Sequence, residues 1–261
     1  LSRRAEIGPL EVKEITRALA AGIEVPLSLV QGVLVSGLEI PFPDGNLQLE
    51  ALPWWALTAA MMIFGHWAAG RRAAMLVLAA CLYFLVLDLW QEAMLTLASV
   101  AIAVIVGAIL GILLGAAAHR WPRLDGIVTP VYDVMQTLPV FSYLVPILLF
   151  FGFGPVAALV ATVIYAMPPM ARNTTLALRR LPPSVSELAS MAGCSPRQRL
   201  FLVLLPAARQ GLLTGFNQLV MLSLSAVIIA SVIGAGGLGN VVLQGLKSMQ
   251  LGRALEAGLG I

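Results

Sequence analysis

The chain has 261 residues, of which 59% are hydrophobic and 11% are charged, and its mean hydropathy is +0.93. Soluble domains carry about 25% charged residues, so this composition excludes a soluble globular protein. The apolar runs approach ~20 residues, which is the length of a membrane-spanning helix rather than of a barrel strand. We therefore expect an all-α integral membrane protein. The net charge of +3 is too small to indicate a nucleic-acid partner.

Catalytic and metal-binding patterns do not occur in the sequence. Cys81, Cys194, His66 and His119 stand apart from one another, without the spacing of a metal site. No glycine-rich loop ends in lysine, so the chain cannot hydrolyse ATP itself. An intramembrane protease needs a nucleophile and a base within reach, yet both histidines stand at the ends of apolar segments. We expect a non-enzymatic protein that holds neither a metal nor a cofactor of its own.

Residues 1–50 are the least hydrophobic part of the chain and are predicted to form an extracytoplasmic tail. No secretory signal is visible, because the basic start is not followed by an apolar core and a cleavage site. The broad apolar face from Val25 to Ile40 predicts a helix that lies on the membrane surface. A turn is predicted after it by four residues: Pro41, Pro43, Asp44 and Gly45.

Residues 51–261 are predicted to form a transmembrane domain of about seven helices. The predicted spans are Pro53–Ala69, Ala73–Leu89, Ala93–Ala118, Pro130–Phe151, Val156–Met170 and Ala207–Ile233, followed by an incomplete seventh that begins near Ala254. All five tryptophans fall at predicted span ends, as is typical of the aromatic belts at membrane interfaces.

The arginines predict the orientation of these spans. Arg71 and Arg72 follow the first span, Arg120 and Arg123 follow the third, and six further arginines lie beside or within the segment 182–206. The alternate connections are acidic or uncharged until Lys247. Because basic residues accumulate on the cytoplasmic side, segment 182–206 is expected in the cytoplasm and the N-terminus outside.

Segment 182–206, PPSVSELASMAGCSPRQRLFLVLLP, is the one long polar interruption between apolar runs. Ser184 and Glu187 have the spacing of a capping box, which predicts a helix that starts at Ser184. Gly193 stands where a helix needs a left-handed C-terminal residue. A second helix start is predicted by three residues: Ser195, Pro196 and Gln198.

Polar and small residues also recur inside the predicted spans. Gly107, Gly111 and Gly115 recur at every fourth position, and we expect them to let helix backbones pack closely. Asp133 is expected to act like a cap in the first turn of the fourth span. Farther along that span, one helical face is predicted to carry Gln136, Val140 and Tyr143.

A polar stripe follows the sixth predicted span at steps of three and four residues, and it consists of Thr214, Asn217, Gln218, Met221 and Ser225. Polar groups within a membrane usually face a helix bundle or a water-filled cavity. Hydrogen bonding between helices and the lining of a pathway explain the face of Gln136 and Tyr143 equally well. For the stripe on the sixth span the alternative is packing in the helix core, although two adjacent amides, Asn217 and Gln218, are more than packing usually needs.

The spacing in segment 182–206 resembles the cytoplasmic coupling loop of ABC importer membrane subunits. The matching residues are Glu187, Ala189, Gly193, Val203, Leu205 and Pro206. Leu188 departs from the pattern, which usually has a second alanine there. In that family, the short helix of the loop docks into a groove on the ATPase.

Further stretches extend the resemblance from about Leu52 to Gly239. They are MQTLPVFSYLVPILLFFGFG, YAMPPMARNTTLALRRLP and FNQLVMLSLSAVIIASVIGAGGLG, which look like the permease subunit of glycine betaine/proline betaine importers. The sequence departs from that family at Asn173, Thr174, Thr175 and Ala177.

The resemblance implies a type I ABC importer fold in the bacterial inner membrane. It also implies the partners: a second copy of the chain, two cytoplasmic ATPase subunits that bind ATP and Mg, and an extracytoplasmic substrate-binding protein. The cargo would be a methylated amine such as glycine betaine, with choline, trimethylamine oxide or methionine as alternatives. The residues expected to line the pathway are Gln136, Tyr143, Asn217, Gln218, Met221 and Ser225.

A free-standing channel or secondary carrier is the alternative from another class. An ion-coupled carrier is expected to hold paired charges in the middle of the membrane. The interiors of the predicted spans lack such pairs, and a carrier would have no use for a docking loop. We therefore favour the importer subunit.

Overall fold

The structure, a computed structural model, describes residues 6–7, 10–42, 45–139 and 141–261. The chain divides into two compact units that are interleaved in sequence. The first unit comprises residues 1–102, 145–160 and 227–261, and the second comprises residues 103–144 and 161–226.

The N-terminal segment combines short antiparallel ladders with one helix. Its elements are β1 (Glu6–Ile7), β2 (Leu10–Glu11), α1 (Val12–Gln31), a π-helical turn (Gly32–Ser36), β3 (Leu38–Phe42) and β4 (Gly45–Leu49). Strand β1 pairs with β2, and β3 pairs with β4 in a register that runs from Leu38 opposite Leu49 to Phe42 opposite Gly45.

The predicted surface helix from Val25 to Ile40 is therefore wrong at both ends. The observed helix starts at Val12, and the helical conformation ends at Ser36. Gly37 then adopts a φ of +83°, which a helix cannot continue, and the following residues join a strand. The strands β3 and β4 flank the predicted turn, of which Pro43 and Asp44 lie outside the described residues.

Helices make up most of the remaining chain. They are α2 (Trp54–Val86), α3 (Trp90–Arg120), α4 (Pro122–Thr137), α5 (Phe141–Phe151), α6 (Pro155–Arg179), α7 (Pro183–Met191), α8 (Pro196–Gln198), a second π-helical turn (Arg199–Leu204), α9 (Leu205–Ala207), α10 (Arg209–Ser225), α11 (Val227–Val232), α12 (Gly237–Lys247) and α13 (Leu251–Leu259).

Helix α2 reverses direction at Ala69 and Gly70, whose backbone angles are not helical. A Cβ atom added to Gly65 would lie 3.3 Å from the Cγ2 atom of Val77. In a straight helix, residues twelve apart are separated by about 18 Å, so the two legs of α2 fold back on each other. The reversal lies between the first two predicted spans, directly before Arg71.

Four helical segments in the described part of the chain are long and apolar enough to cross a membrane. They are α2, α3, α6 and the run Arg209–Val232; the bent pair of α4 and α5 adds a fifth if it is counted as one broken span. The predicted helical membrane fold is confirmed, but this number is below the predicted seven. The number is lower because α2 is counted as one segment, although its two legs fold back on each other, and because α13 has only nine residues.

The predicted fourth span, Pro130–Phe151, is broken into α4 and α5. Helix α4 begins at Pro122, because a proline in the first turn has the φ angle that a helix needs. It ends at Thr137, because Pro139 disfavours helical angles at the preceding residue, and Leu138 is extended with a ψ of 137°. The face predicted to join Gln136 to Tyr143 therefore does not exist as a single helical face. Val140 lies outside the described residues.

Helix α6 continues well beyond the predicted end of the fifth span at Met170. It passes through Pro168 and Pro169 and ends at Arg179. A helix within an apolar protein tolerates proline where neighbouring helices hold it in place. Both prolines are buried, and Met170 and Ala171 after them are also buried.

The core of the first unit joins α2, α3, α12 and α13. Its fully buried members include Leu89, Leu238 and Ala257, and the π-helical turn contributes Leu34 and Val35 to its edge. The backbone N–H of Leu238 donates a hydrogen bond of 2.8 Å to the Thr96 hydroxyl. This contact fixes the start of α12 against α3.

The core of the second unit depends on glycines that bring α3 and α10 against α6. A Cβ atom on Gly115 would lie 2.4 Å from the carbonyl oxygen of Ala171 in α6. One on Gly211 in α10 would lie 2.3 Å from the Cβ atom of Ala177, also in α6. Gly107, Gly111 and Gly215 have similarly close neighbours, so the predicted packing role of the glycine stripe is confirmed.

We expect Gly115→Ala to destabilise the protein by roughly 1–3 kcal/mol, because the added methyl group overpacks the contact between α3 and α6. Gly126→Ala is the matched control, since Gly126 lies in α4 with no atom within 4 Å of an added Cβ. That variant should be neutral or stabilising by about 0.5–1 kcal/mol. Thermal unfolding of the purified variants measures both effects. Equal stability of the two variants would contradict the packing described here.

Candidate functional site

Segment 182–206 begins with helix α7, whose start differs from the prediction. The helix begins at Pro183 after Pro182, and no side chain caps its N-terminus. The predicted capping box of Ser184 and Glu187 is therefore wrong, because the proline starts the helix one residue earlier. The Glu187 side chain is exposed and forms no hydrogen bond or ion pair with the described residues. Its carboxylate is available to a partner.

The end of α7 agrees with the sequence prediction. Gly193 has a φ of +72°, and its N–H donates a hydrogen bond of 3.1 Å to the carbonyl of Ser190. The predicted start of a second helix, α8, is also observed. The Ser195 hydroxyl accepts from the N–H of Gln198, and the Gln198 side chain accepts from the N–H of Ser195 at 2.9 Å.

The inner face of the segment is anchored to α3 and α6. Ala189 is buried, and the Arg199 guanidinium donates a hydrogen bond to the hydroxyl of Ser186. Behind them, an apolar cluster contains Ala116 of α3, Leu178 of α6, Val185, Leu200, Leu204, Leu205 and Ala208. This cluster packs α7 and the π-helical turn Arg199–Leu204 against the other helices of the second unit.

The outer face of α7 carries apolar side chains that face solvent in this chain. Leu188 is 65% exposed and Met191 is 85% exposed, and both lie within the same arc of the helix as Glu187. The sequence prediction missed Leu188 and Met191, although their helical spacing relative to Glu187 would have revealed the shared face. We name Glu187, Leu188 and Met191 the outer face of α7. Exposed apolar residues clustered beside a charge are typical of a protein-binding surface.

The other residues matched to the coupling loop lie outside this outer face. Ala189 belongs to the buried side, Val203 and Leu205 are half-buried, and Pro206 is exposed. Their role in coupling stays a prediction.

The polar stripe predicted on the sixth span lies on one exposed face of α10. Asn217, Gln218 and Ser225 are exposed, and Met221 is 68% exposed. The opposite side of the helix packs inside the unit, where Leu219 is completely buried. The two sides of α10 are thus clearly separated into a packed face and an accessible polar face.

One turn of α6 connects this polar face to the neighbouring helices. The Asn173 side-chain amide donates a hydrogen bond of 2.8 Å to the Oε1 atom of Gln218 in α10. The Thr175 hydroxyl donates one of 3.0 Å to the carbonyl of Gly115 in α3. The residues at which the sequence departs from the family pattern are therefore those that hold α3, α6 and α10 together.

Two ion pairs join α4 to α6. Arg172 pairs with Asp133, and Arg179 pairs with Asp125 at 3.0 Å. The order of the partners shows that the two helices run antiparallel. Asp133 is in the last turns of α4, so the predicted cap-like role in a first turn is wrong.

The remaining pathway candidates lie on α4 and α5 rather than on α10. Gln136 is exposed near the end of α4, whereas Tyr143 is half-buried in α5. The Tyr143 hydroxyl has no hydrogen-bond partner among the described residues. A pathway role for either residue stays a prediction.

Comparison with known proteins identifies relatives of the chain. Residues 107–260 match the family of binding-protein-dependent transport system inner membrane components. This match covers both α7 and the polar face of α10.

Curated relatives include permease proteins for methylated amines. The trimethylamine N-oxide transport system permease protein TmoV of Ruegeria pomeroyi is 36% identical over 247 residues, which is 95% of this chain and 37% of that protein. The glycine betaine/proline betaine transport system permease protein ProW of Salmonella typhimurium is 45% identical over 172 residues, covering 66% of this chain and 49% of ProW. The glycine betaine transport system permease protein OpuAB of Bacillus subtilis is 38% identical over 82% of this chain and 76% of OpuAB. The predicted resemblance is confirmed, although the chain spans only about a third to a half of the length of TmoV and ProW.

Solved structures of the inward-facing MetNI methionine ABC transporter share the fold. One crystal form matches with a TM-score of 0.55 and 22% identity, covering 66% of this chain and 90% of that chain. A second form matches with a TM-score of 0.52 and 23% identity over 64% and 89% of the two chains. The predicted type I importer fold is therefore confirmed.

We expect Asp133→Arg to lower the melting temperature by about 2–4 °C, since it replaces a partly exposed ion pair of roughly 1 kcal/mol with two like charges. The swapped variant Asp133→Arg/Arg172→Asp should recover most of that loss. Arg123→Asp is the control, because Arg123 is exposed and forms no ion pair within the described part of the chain. A swapped variant as unstable as Asp133→Arg alone would contradict a direct pairing.

Proposed function

We propose that two copies of the chain form the translocation pathway of an ABC importer, because the chain belongs to the family of binding-protein-dependent transport system inner membrane components. The pathway carries a small methylated amine into the cell, with glycine betaine as the first choice and trimethylamine oxide or choline next. Two separate cytoplasmic subunits bind ATP and Mg and hydrolyse the ATP. An extracytoplasmic binding protein delivers the cargo.

The cargo assignment is supported by the relatives and by the chemistry of α10. TmoV is named for trimethylamine N-oxide, and ProW and OpuAB are named for betaines. The exposed face of α10 offers amides, a thioether and a hydroxyl but no fixed charge. Such a surface lets a zwitterion pass without trapping it as a buried carboxylate would. The likeness to MetNI, at 22–23% identity, concerns the fold and gives methionine no further support.

The outer face of α7 is the single observation that best supports coupling to an ATPase. Its apolar side chains are exposed on a helix whose other side is anchored in the core of the second unit. A partner that binds this face can transmit force to α3 and α6, because the anchoring cluster contains residues from both helices. The Glu187 side chain takes no part in capping the helix, so its carboxylate supplies a charge for the contact with the ATPase.

The basic residues support an orientation with the N-terminus outside and α7 in the cytoplasm. Arg71 and Arg72 stand at the reversal of α2, and arginines flank segment 182–206. This orientation places the outer face of α7 on the side where ATP is available.

The cargo is tested in proteoliposomes that contain the chain, its ATPase and its binding protein. We expect uptake of glycine betaine and ATP hydrolysis stimulated by the loaded binding protein. Asn217→Leu should lower uptake while the ATPase still co-purifies. A complex that responds to methionine and ignores every methylated amine would overturn the cargo but not the importer assignment.

Coupling is tested with Glu187→Gln and Gly193→Val. Glu187→Gln removes the charge from the outer face of α7, and Gly193→Val forces a β-branched residue into a left-handed conformation that costs about 1–3 kcal/mol. Both variants should assemble yet hydrolyse ATP with little uptake. Gly252→Val is the matched control, because Gly252 has equally open surroundings but no positive φ. Normal uptake by Gly193→Val would refute the coupling role.

The orientation is tested by labelling single cysteines in a Cys81→Ser/Cys194→Ser background. Glu24→Cys, at an exposed position of α1, should react with an impermeant maleimide added outside intact cells. Ser195→Cys, at the start of α8, should react only after permeabilisation. Labelling of both residues from outside would contradict the proposed orientation.

A further inference from the structure

A cavity of about 370 Å³ opens within the second unit, between the ends of α6 and α10. Its size lies in the range of small-molecule pockets, about 300–1,000 Å³. The lining residues that matter here are Asn173, Arg180, Ala207, Gln210, Gly211 and Thr214. Ala207 leaves space open because its side chain is small, whereas Gly211 lets α10 pack directly against Ala177 of α6 at the cavity wall.

The cavity continues the polar face of α10. Gln210 and Thr214 precede Asn217 at helical steps of four and three residues, so all three lie on the same side of the helix. Asn173 lines the cavity and also donates its hydrogen bond to Gln218 on that face. A molecule that follows the polar face toward the start of α10 therefore reaches this cavity.

Arg180 is the charged residue among the described residues that line the cavity. Its neighbours Arg172 and Arg179 are both neutralised by aspartates of α4, whereas the Arg180 guanidinium forms no ion pair within the described ranges. The Gln210 side chain likewise forms no hydrogen bond with the described residues. An unpaired guanidinium beside a free amide is suited to an anionic oxygen, which it can bind with charge-assisted hydrogen bonds.

We infer that this cavity is a subsite for the anionic end of the cargo, either a carboxylate or an N-oxide oxygen, bound by Arg180 and Gln210. The inference rests on the proposed function, and it adds a step at the inner end of the pathway. Glycine betaine and trimethylamine oxide both carry such an oxygen. Choline has the same trimethylammonium group but only a neutral hydroxyl, so it lacks the group that the subsite binds.

The test measures protection of a single cysteine in the assembled complex. Ala207→Cys, in the background without Cys81 and Cys194, places an exposed thiol on the cavity wall. The complex is held in phosphatidylcholine nanodiscs without ATP and labelled with a maleimide. At a ligand concentration twice the dissociation constant, mass action predicts labelling about threefold slower. We expect this slowing with glycine betaine and with trimethylamine oxide, and none with choline.

Variants of Arg180 test whether its guanidinium is the group that binds the cargo. Arg180→Gln should raise the glycine betaine concentration for half-maximal protection about tenfold, which corresponds to about 1.4 kcal/mol. Arg180→Lys retains the charge and should lose less. Arg123→Gln is the control, since Arg123 is an exposed arginine that does not line the cavity, and it should leave protection unchanged.

The outcomes separate this inference from the proposed function. Equal protection by choline and glycine betaine, or protection that survives in Arg180→Gln, would overturn the subsite. If labelling is slow in the absence of ligand and becomes faster when lipid is removed, the cavity binds a lipid headgroup instead of the cargo. Loss of the ATPase from Arg180→Gln would show that Arg180 belongs to the docking contact. Failure of the unmodified complex to transport any methylated amine would instead refute the proposed cargo.

Discussion

The second unit depends on the close approach of three helix backbones. Within a membrane, helices gain little from hydrophobic burial against one another, so contact between backbones and dispersion forces must hold them together. Glycines on α3 and α10 allow this contact, since a Cβ atom at Gly115 or Gly211 would collide with α6. The short distances in turn bring Asn173 within hydrogen-bonding reach of Gln218. The polar face and the anchoring of α7 both follow from this packing.

Local sequence signals predicted the features that depend on a few neighbouring residues. The regular spacing of Gly107, Gly111 and Gly115 predicted their packing role, and Gly193 was correctly placed at a left-handed helix end. The capping box of Ser195 and Gln198 was also predicted correctly. In each case, the conformation is determined by backbone sterics or by hydrogen bonds within one turn.

Features that depend on distant residues could not be predicted in the same way. Asp133 was interpreted as a helix cap because its partner Arg172 is 39 residues away in sequence. The break between α4 and α5 was missed because hydropathy continues across Pro139, although the effect of a proline on the preceding residue could have revealed it. At Ser184 two local signals competed, and the rigid φ of Pro183 determined the helix start instead of the serine hydroxyl.

The π-helical turn between Arg199 and Leu204 shows how the chain joins segment 182–206 to the core. A π-helical turn contains more residues than an α-helical turn, so it widens the helix locally. Leu200, Leu204 and Leu205 consequently all reach the apolar cluster of the second unit. No hydropathy pattern distinguishes this arrangement from an ordinary α-helix, which explains why it was not predicted.

The double proline of α6 has a mechanical consequence. Pro168 and Pro169 have no N–H groups, so the carbonyls of Ile164 and Tyr165 receive no hydrogen bond from the usual donors four residues later. Bending α6 at this point works against two fewer backbone hydrogen bonds than bending it elsewhere, whereas bending it after Met170 would disturb the glycine contacts with α3 and α10. Curvature of α6 therefore costs least just before its packed half, and that half can tilt as a rigid lever.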